Sequence, residues 1–70
     1  MARLTPDDAK DVARRYALDL SANFHALNSE AVSRVLAAAD ERGYRKPSGA
    51  NGSRARYFFY HLVRTARRTD

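Results

Sequence analysis

Residues 53–67 read SRARYFFYHLVRTAR, and they hold the strongest apolar period in the chain. Ala55, Phe58, Phe59, Leu62, Val63 and Ala66 recur at three- and four-residue steps, which lays them along one stripe of an α-helix. Ser53 ahead of them supplies an N-cap hydroxyl, so a helix is predicted over 53–67. A stripe carrying two phenylalanines and a leucine must be covered by other apolar surface. Two upstream segments with the same period provide it, and the fold class expected is all-α: a compact three-helix bundle with helices at about 5–25, 29–42 and 53–67.

The first upstream segment opens with Thr5-Pro6-Asp7-Asp8. A threonine N-cap, a proline at the first helical position and acids against the helix dipole form one consistent start signal. Ala9, Val12, Ala13, Tyr16, Leu20 and Phe24 then form a single stripe, which carries the expected helix to about residue 25. In the second segment Asn28 is the N-cap, and Leu27 and Val32 have the spacing of a hydrophobic staple. This helix is expected to bury Val32, Val35, Leu36 and Ala39. It ends at Arg42-Gly43-Tyr44, where Gly43 suits a left-handed C′ position and Tyr44 folds back on the last turn. The short link between the two helices implies an antiparallel hairpin. Residues 45–52, which contain glycine and proline, read as a basic loop.

Seventy residues with 44% hydrophobic content make a single small helical domain, 1–70. A chain of this length buries only about 60% of its unfolded surface, so its core must be economical or completed by a partner. The chain has no cysteine, which removes disulfides and thiolate metal ligands and fits the reducing cytoplasm. No apolar run approaches the roughly 18 residues of a membrane span, and the N-terminus lacks the apolar core of a signal peptide. The third helix is amphipathic and cationic, as helices lying on membranes are, but its apolar face is needed to close the bundle. No membrane partner is expected.

The net charge of +5 is unevenly placed. Residues 1–42 hold six basic and seven acidic groups, whereas residues 43–70 hold seven basic and one acidic group. Eleven of the thirteen cations are arginine, whose planar fork grips phosphate and carboxylate in a bidentate way. A GC-rich genome would explain the excess of arginine over lysine but not its placement. On the predicted third helix, Arg56, Tyr60, Arg64 and Arg67 or Arg68 align in one row, and Arg54, Tyr57, His61, Arg64 and Arg68 in the next. Like charges four residues apart oppose helix formation, and no acid occurs between Glu41 and Asp70. The row therefore points to an external anion; a solvated face that aids solubility is the competing explanation.

The loop adds a second signal. Gly49-Ala50-Asn51-Gly52 resembles the GxxG step with which KH domains clamp a nucleic-acid backbone, and Arg45, Lys46, Arg54 and Arg56 flank it. The likeness is confined to those four residues, since the strands of that fold are not among the predicted elements. KDVARR at 10–15 and VLAAADERGYRKP at 35–47 resemble pieces of the LacI-type repressor headpiece. Between them, YALDLSANFHALNSEAVSR is several residues too short for the turn and recognition helix of that family, so no functional residue is carried across.

Catalysis is not expected. His25 and His61 are the only histidines, neither has a second ligand at metal-binding spacing, and no cofactor or metal is implied. A domain of this size is also not expected to enclose a ligand pocket of about 300 Å³ or more. The function expected is a non-enzymatic, small basic regulatory protein that contacts DNA, RNA or a nucleoprotein complex. Its contact residues would be Arg45, Lys46, Asn51, Arg54, Arg56, Tyr57, Tyr60, Arg64, Arg67 and Arg68. The alternative is a protein-interaction module, an inhibitor or adaptor of the phage or plasmid accessory type such as an anti-defence inhibitor. It would dock the same Arg–Tyr face on an acidic protein surface. A homodimer is the remaining partner class; Leu18, if it lies exposed beside Arg14 and Arg15 on the first helix, favours a protein partner or a homodimer.

Overall fold

A computed structural model describes residues 4–44 and 51–68, with the side chains of 51–53 excepted. It contains helix α1 over Pro6–Arg15, α2 over Ser29–Glu41 and α3 over Asn51–Arg67, with a 3-10 turn at Phe24–Ala26 between α1 and α2. No strand occurs among the described residues. The all-α, three-helix architecture expected of the sequence is therefore the one observed.

The first two helices use the start signals read from the sequence. The Thr5 hydroxyl accepts the Asp8 N–H at 3.1 Å, and the Asp8 carboxylate accepts the Thr5 N–H at 3.2 Å, closing a capping box. Those two bonds, the one from the Thr5 N–H above all, hold the Asp8 carboxyl below its ordinary pKa. At α2 the Asn28 side chain accepts the Ala31 N–H at 2.8 Å. Leu27 and Val32 both pack on the core, as a staple requires. Helix α3 begins at Asn51 rather than after Ser53, so Ser53 lies inside the helix and is not its N-cap.

The first helix departs from expectation. It stops at Arg15, about ten residues short of the predicted end, because Ala17 takes a left-handed backbone with φ 54°. The Ala17 N–H then reaches the Arg14 carbonyl at 3.2 Å and the Leu18 N–H the Ala13 carbonyl at 2.7 Å. This is the hydrogen-bond pattern of a Schellman motif built on alanine instead of glycine. A left-handed alanine costs about 1–2 kcal/mol, and contacts from α2 offset it. Arg34 donates its Nε–H to the Tyr16 carbonyl at 3.0 Å, while Glu41 accepts from the Arg15 guanidinium at 2.9 Å and the Tyr16 hydroxyl at 2.7 Å. Helix α2 ends in the same motif where the sequence announces it: Gly43 has φ 67°, its N–H reaches Asp40 at 3.1 Å, and the Tyr44 N–H reaches Ala39 at 2.9 Å.

Shortening α1 changes the topology between the first two helices. The connection runs from Tyr16 to Asn28 and includes the 3-10 turn, so it is not the short link of an antiparallel hairpin. Arg15 and Tyr16, at the C-terminal end of α1, meet Glu41 at the C-terminal end of α2. A simple hairpin would instead bring the end of α1 to the start of α2.

Helix α3 packs against both α1 and α2 and against the 3-10 turn. The core joins Ala9 and Val12 of α1, Val35, Ala38 and Ala39 of α2, and Ala55, Phe58, Phe59 and Leu62 of α3. The size distribution explains the arrangement. Small side chains on α1 and α2 let both backbones approach α3, which contributes the bulk. Burying each phenylalanine and Leu62 stabilises the fold by about 1.5–3 kcal/mol. Val32, Leu36, Val63 and Ala66, expected in the core, lie half-buried at its edge. Leu20 and Phe24 reach the core as their spacing suggested, but from the connection rather than from a helix. The Phe24 ring lies 5.8 Å from that of Phe59.

Candidate nucleic-acid interface

The fold sorts the arginines into two sets by the position of the acids. On α1, Asp11 accepts from Arg14 at 3.1 Å and from Arg15 at 3.0 Å, and Arg15 also bridges to Glu41 at 2.8 Å. On α2, Arg34 pairs with Glu30 at 2.6 Å. These contacts hold the Asp11 and Glu41 carboxyls below their ordinary range. Arg14 is the first cause for Asp11, and Arg15 for Glu41. The Tyr16 hydroxyl donates its own hydrogen bond to Glu41 at 2.7 Å, and that bond raises the Tyr16 phenol. The fourth paired arginine is Arg54, whose side chain is only 24% exposed and meets Asp40 at 2.7 Å. Sequence reasoning placed Arg54 on the contact surface; the structure assigns it to tying α3 to the end of α2.

Arg56, Arg64 and Arg67 form the second set. Among the described residues no carboxylate pairs with any of them. Arg64 and Arg67 are exposed, and Arg56 lies over the Tyr57 ring at 5.5 Å from its centroid. Tyr57 and Tyr60, at 45% and 37% exposure, are the large exposed hydrophobic side chains. The stripe that faces solvent is thus Tyr57, Tyr60, Arg64, Arg67 and Arg68, with Arg56 on its flank. It blends the two rows read from the sequence. Tyr60 is braced from below: its ring sits 6.4 Å from Phe24 and 6.1 Å from Phe59.

His61 borders this stripe, stacked on Tyr44 at 5.9 Å. Burial, and then the charges of Arg64 and Arg68, press its pKa below the ordinary value. The ring is therefore neutral at pH 7 and adds no charge to the surface. Arg45 and Lys46 lie outside the described residues, as do Gly49 and Ala50 of the GxxG step. Asn51 and Gly52 form the first turn of α3.

The connection between α1 and α2 contributes a feature that the sequence did not disclose. Beside α3 lies an open groove of about 420 Å³, a surface feature rather than an enclosed pocket. Half-buried Leu20, Ala22 and Val63 line it together with the exposed Ser21 and Asn23 and with Tyr60, Arg64 and Arg67. Reading residues 20–23 as helix concealed this wall. The available signal was Asn23, whose side chain accepts the His25 N–H at 3.0 Å and starts the 3-10 turn. Leu18, the residue expected to mark a homodimer, is half-buried against the core and offers no such patch. No helix among the described residues is long and apolar enough to cross a membrane.

Comparison with protein-family models, with curated proteins and with solved structures finds no match to this chain.

Proposed function

We propose that this chain is a non-enzymatic regulatory module that binds nucleic acid, alone or within a nucleoprotein, through the exposed face of α3. The observation that carries the reading is the division of the arginines. Arg14, Arg15, Arg34 and Arg54 each pair with a carboxylate, whereas exposed Arg64 and Arg67 and half-buried Arg56 lie beside Tyr57 and Tyr60 with no described carboxylate paired to them. Three guanidinium groups on one helix face match the phosphate spacing problem that arginine forks solve well. Tyr57 and Tyr60 add hydroxyl donors and ring faces suited to sugar and base. Arg45 and Lys46 extend the positive run in sequence, and the absence of cysteine supports action in a reducing compartment such as the cytoplasm.

The test is fluorescence anisotropy with labelled duplex DNA, single-stranded DNA and RNA, titrated over a salt series. Binding of about micromolar affinity at low salt, weakening steeply as salt rises, is the expected result. Arg56→Glu combined with Arg64→Glu should abolish it. Unchanged affinity in that double variant overturns the reading. If none of the three probes binds the wild-type chain at low salt, nucleic acid is ruled out. The Arg–Tyr face is then the surface with which to seek an acidic protein partner.

A further inference from the structure

Four side chains around the groove carry hydrogen-bond donors that no group among the described residues accepts. The Asn23 amide is oriented by its own backbone neighbour: Oδ1 accepts the His25 N–H at 3.0 Å, which leaves the NH2 group as a donor. The Tyr60 hydroxyl and the guanidinium groups of Arg64 and Arg67 make no hydrogen bond to a described residue. Among the described residues no carboxylate lines the groove. Asp19, the nearest acid in sequence, is turned onto Ser21, accepting its N–H at 3.0 Å and its hydroxyl at 2.6 Å. The rim therefore calls for an acceptor-rich anion.

The floor calls for something else. Leu20, Ala22 and Val63 are apolar and half-buried, and a phosphate alone gains nothing from them. Tyr60 beside them is backed by Phe24 and Phe59, so its ring is held in place. A space of about 420 Å³ lies within the usual range of small-ligand sites, about 300–1,000 Å³. A flat ring joined to a phosphate meets both demands. In a duplex that ring is stacked and paired, out of reach of an apolar wall; in a single strand it is free to turn in.

We propose that the groove takes one unpaired nucleotide of a single-stranded nucleic acid. The base lies against Tyr60, Leu20 and Val63, the phosphates engage Arg64 and Arg67, and Asn23 donates to the base edge. This inference rests on the nucleic-acid reading above and narrows it to single strands.

The experiment compares four labelled probes at one salt concentration: oligothymidylate, oligouridylate, an abasic strand of the same length and the matching duplex. Phosphate contacts are similar in the three single strands, so the difference between intact and abasic strands isolates the base. The intact strands should bind about tenfold tighter than the abasic strand, as expected when one base–aromatic stack is lost. The better of the two intact strands identifies DNA or RNA as the source. Asn23→Asp keeps the acceptor that caps the 3-10 turn but puts a carboxylate at the rim. It should weaken single-strand binding about tenfold and leave the melting temperature unchanged. Equal binding of intact, abasic and duplex probes overturns the groove proposal and leaves the basic face standing; so does an Asn23→Asp variant that melts and binds like wild type. Failure of every probe to bind overturns both.

Discussion

The arginines of α1 and α2 and those on the outer face of α3 are the same residue put to opposite uses. Arg14, Arg15 and Arg34 each meet a carboxylate, and two of them also cross between elements: Arg15 to Glu41, and Arg34 to the Tyr16 carbonyl. Arg56, Arg64 and Arg67 pair with no described acid. The difference teaches that the count of cations says little about a surface until the acids have been placed. Seven of the eight acids fall before residue 43, and among the described residues those that pair with arginine serve the first two helices and the start of the third. On α3 the arginines left without a described acid, Arg56, Arg64 and Arg67, share one side of the helix.

That division is open to direct attack. The largest effect on stability is expected at Arg34, which is only partly exposed and holds the carbonyl that ends α1. Arg34→Met should cost about 2 kcal/mol in urea denaturation, since it removes a charge-assisted bond to a part-buried carbonyl. Arg54→Met, which removes the pair with Asp40, should cost about 0.5–1 kcal/mol. Arg56→Met, Arg64→Met and Arg67→Met should each stay within about 0.5 kcal/mol of wild type. A large loss at Arg64 or Arg67 would show that the outer arginines also serve the fold, and the division would collapse.

Acid should separate the two sets more gently. Asp11 and Glu41 have folded pKa values below their ordinary ones. Their contribution is therefore present above the unfolded carboxylate range and is lost as pH falls through the depressed folded values. The melting temperature should hold from neutral pH to about 5 and decline as the pH approaches and passes about 4. Glu41→Gln should lower it at neutral pH, with the gap to wild type closing in acid. Arg64→Met should track the wild-type curve throughout.

How much of this was legible depended on whether the cause was local. Thr5 and Asn28 were readable as caps because the groups they satisfy lie three residues away. Gly43 was readable because glycine is the usual resident of a left-handed C′ position. The end of α1 was not, because Ala17 carries no such mark and the partners that hold the turn, Arg34 and Glu41, lie 18 and 25 residues further along the chain from Tyr16. Leu20 and Phe24 kept the helical spacing although the chain had already turned, and a turn can return the same residues to the core. The basic face of α3 was visible from its period alone. That Arg54 leaves it for Asp40 was not, since that pair exists only once α3 has packed on α2. The groove was hidden for the same reason: its walls are far apart in sequence.

The slope of log affinity against log salt for a labelled single strand puts the division of the arginines to the test in one number. Arg64→Ala with Arg67→Ala should flatten that slope by about 1.4, roughly 0.7 for each phosphate contact removed from a single strand. Lys10→Ala with Arg14→Ala, an equal loss of charge on α1, should leave it unchanged. Equal flattening in both double variants, or none in either, would contradict the assignment of the α3 face as the phosphate-binding surface.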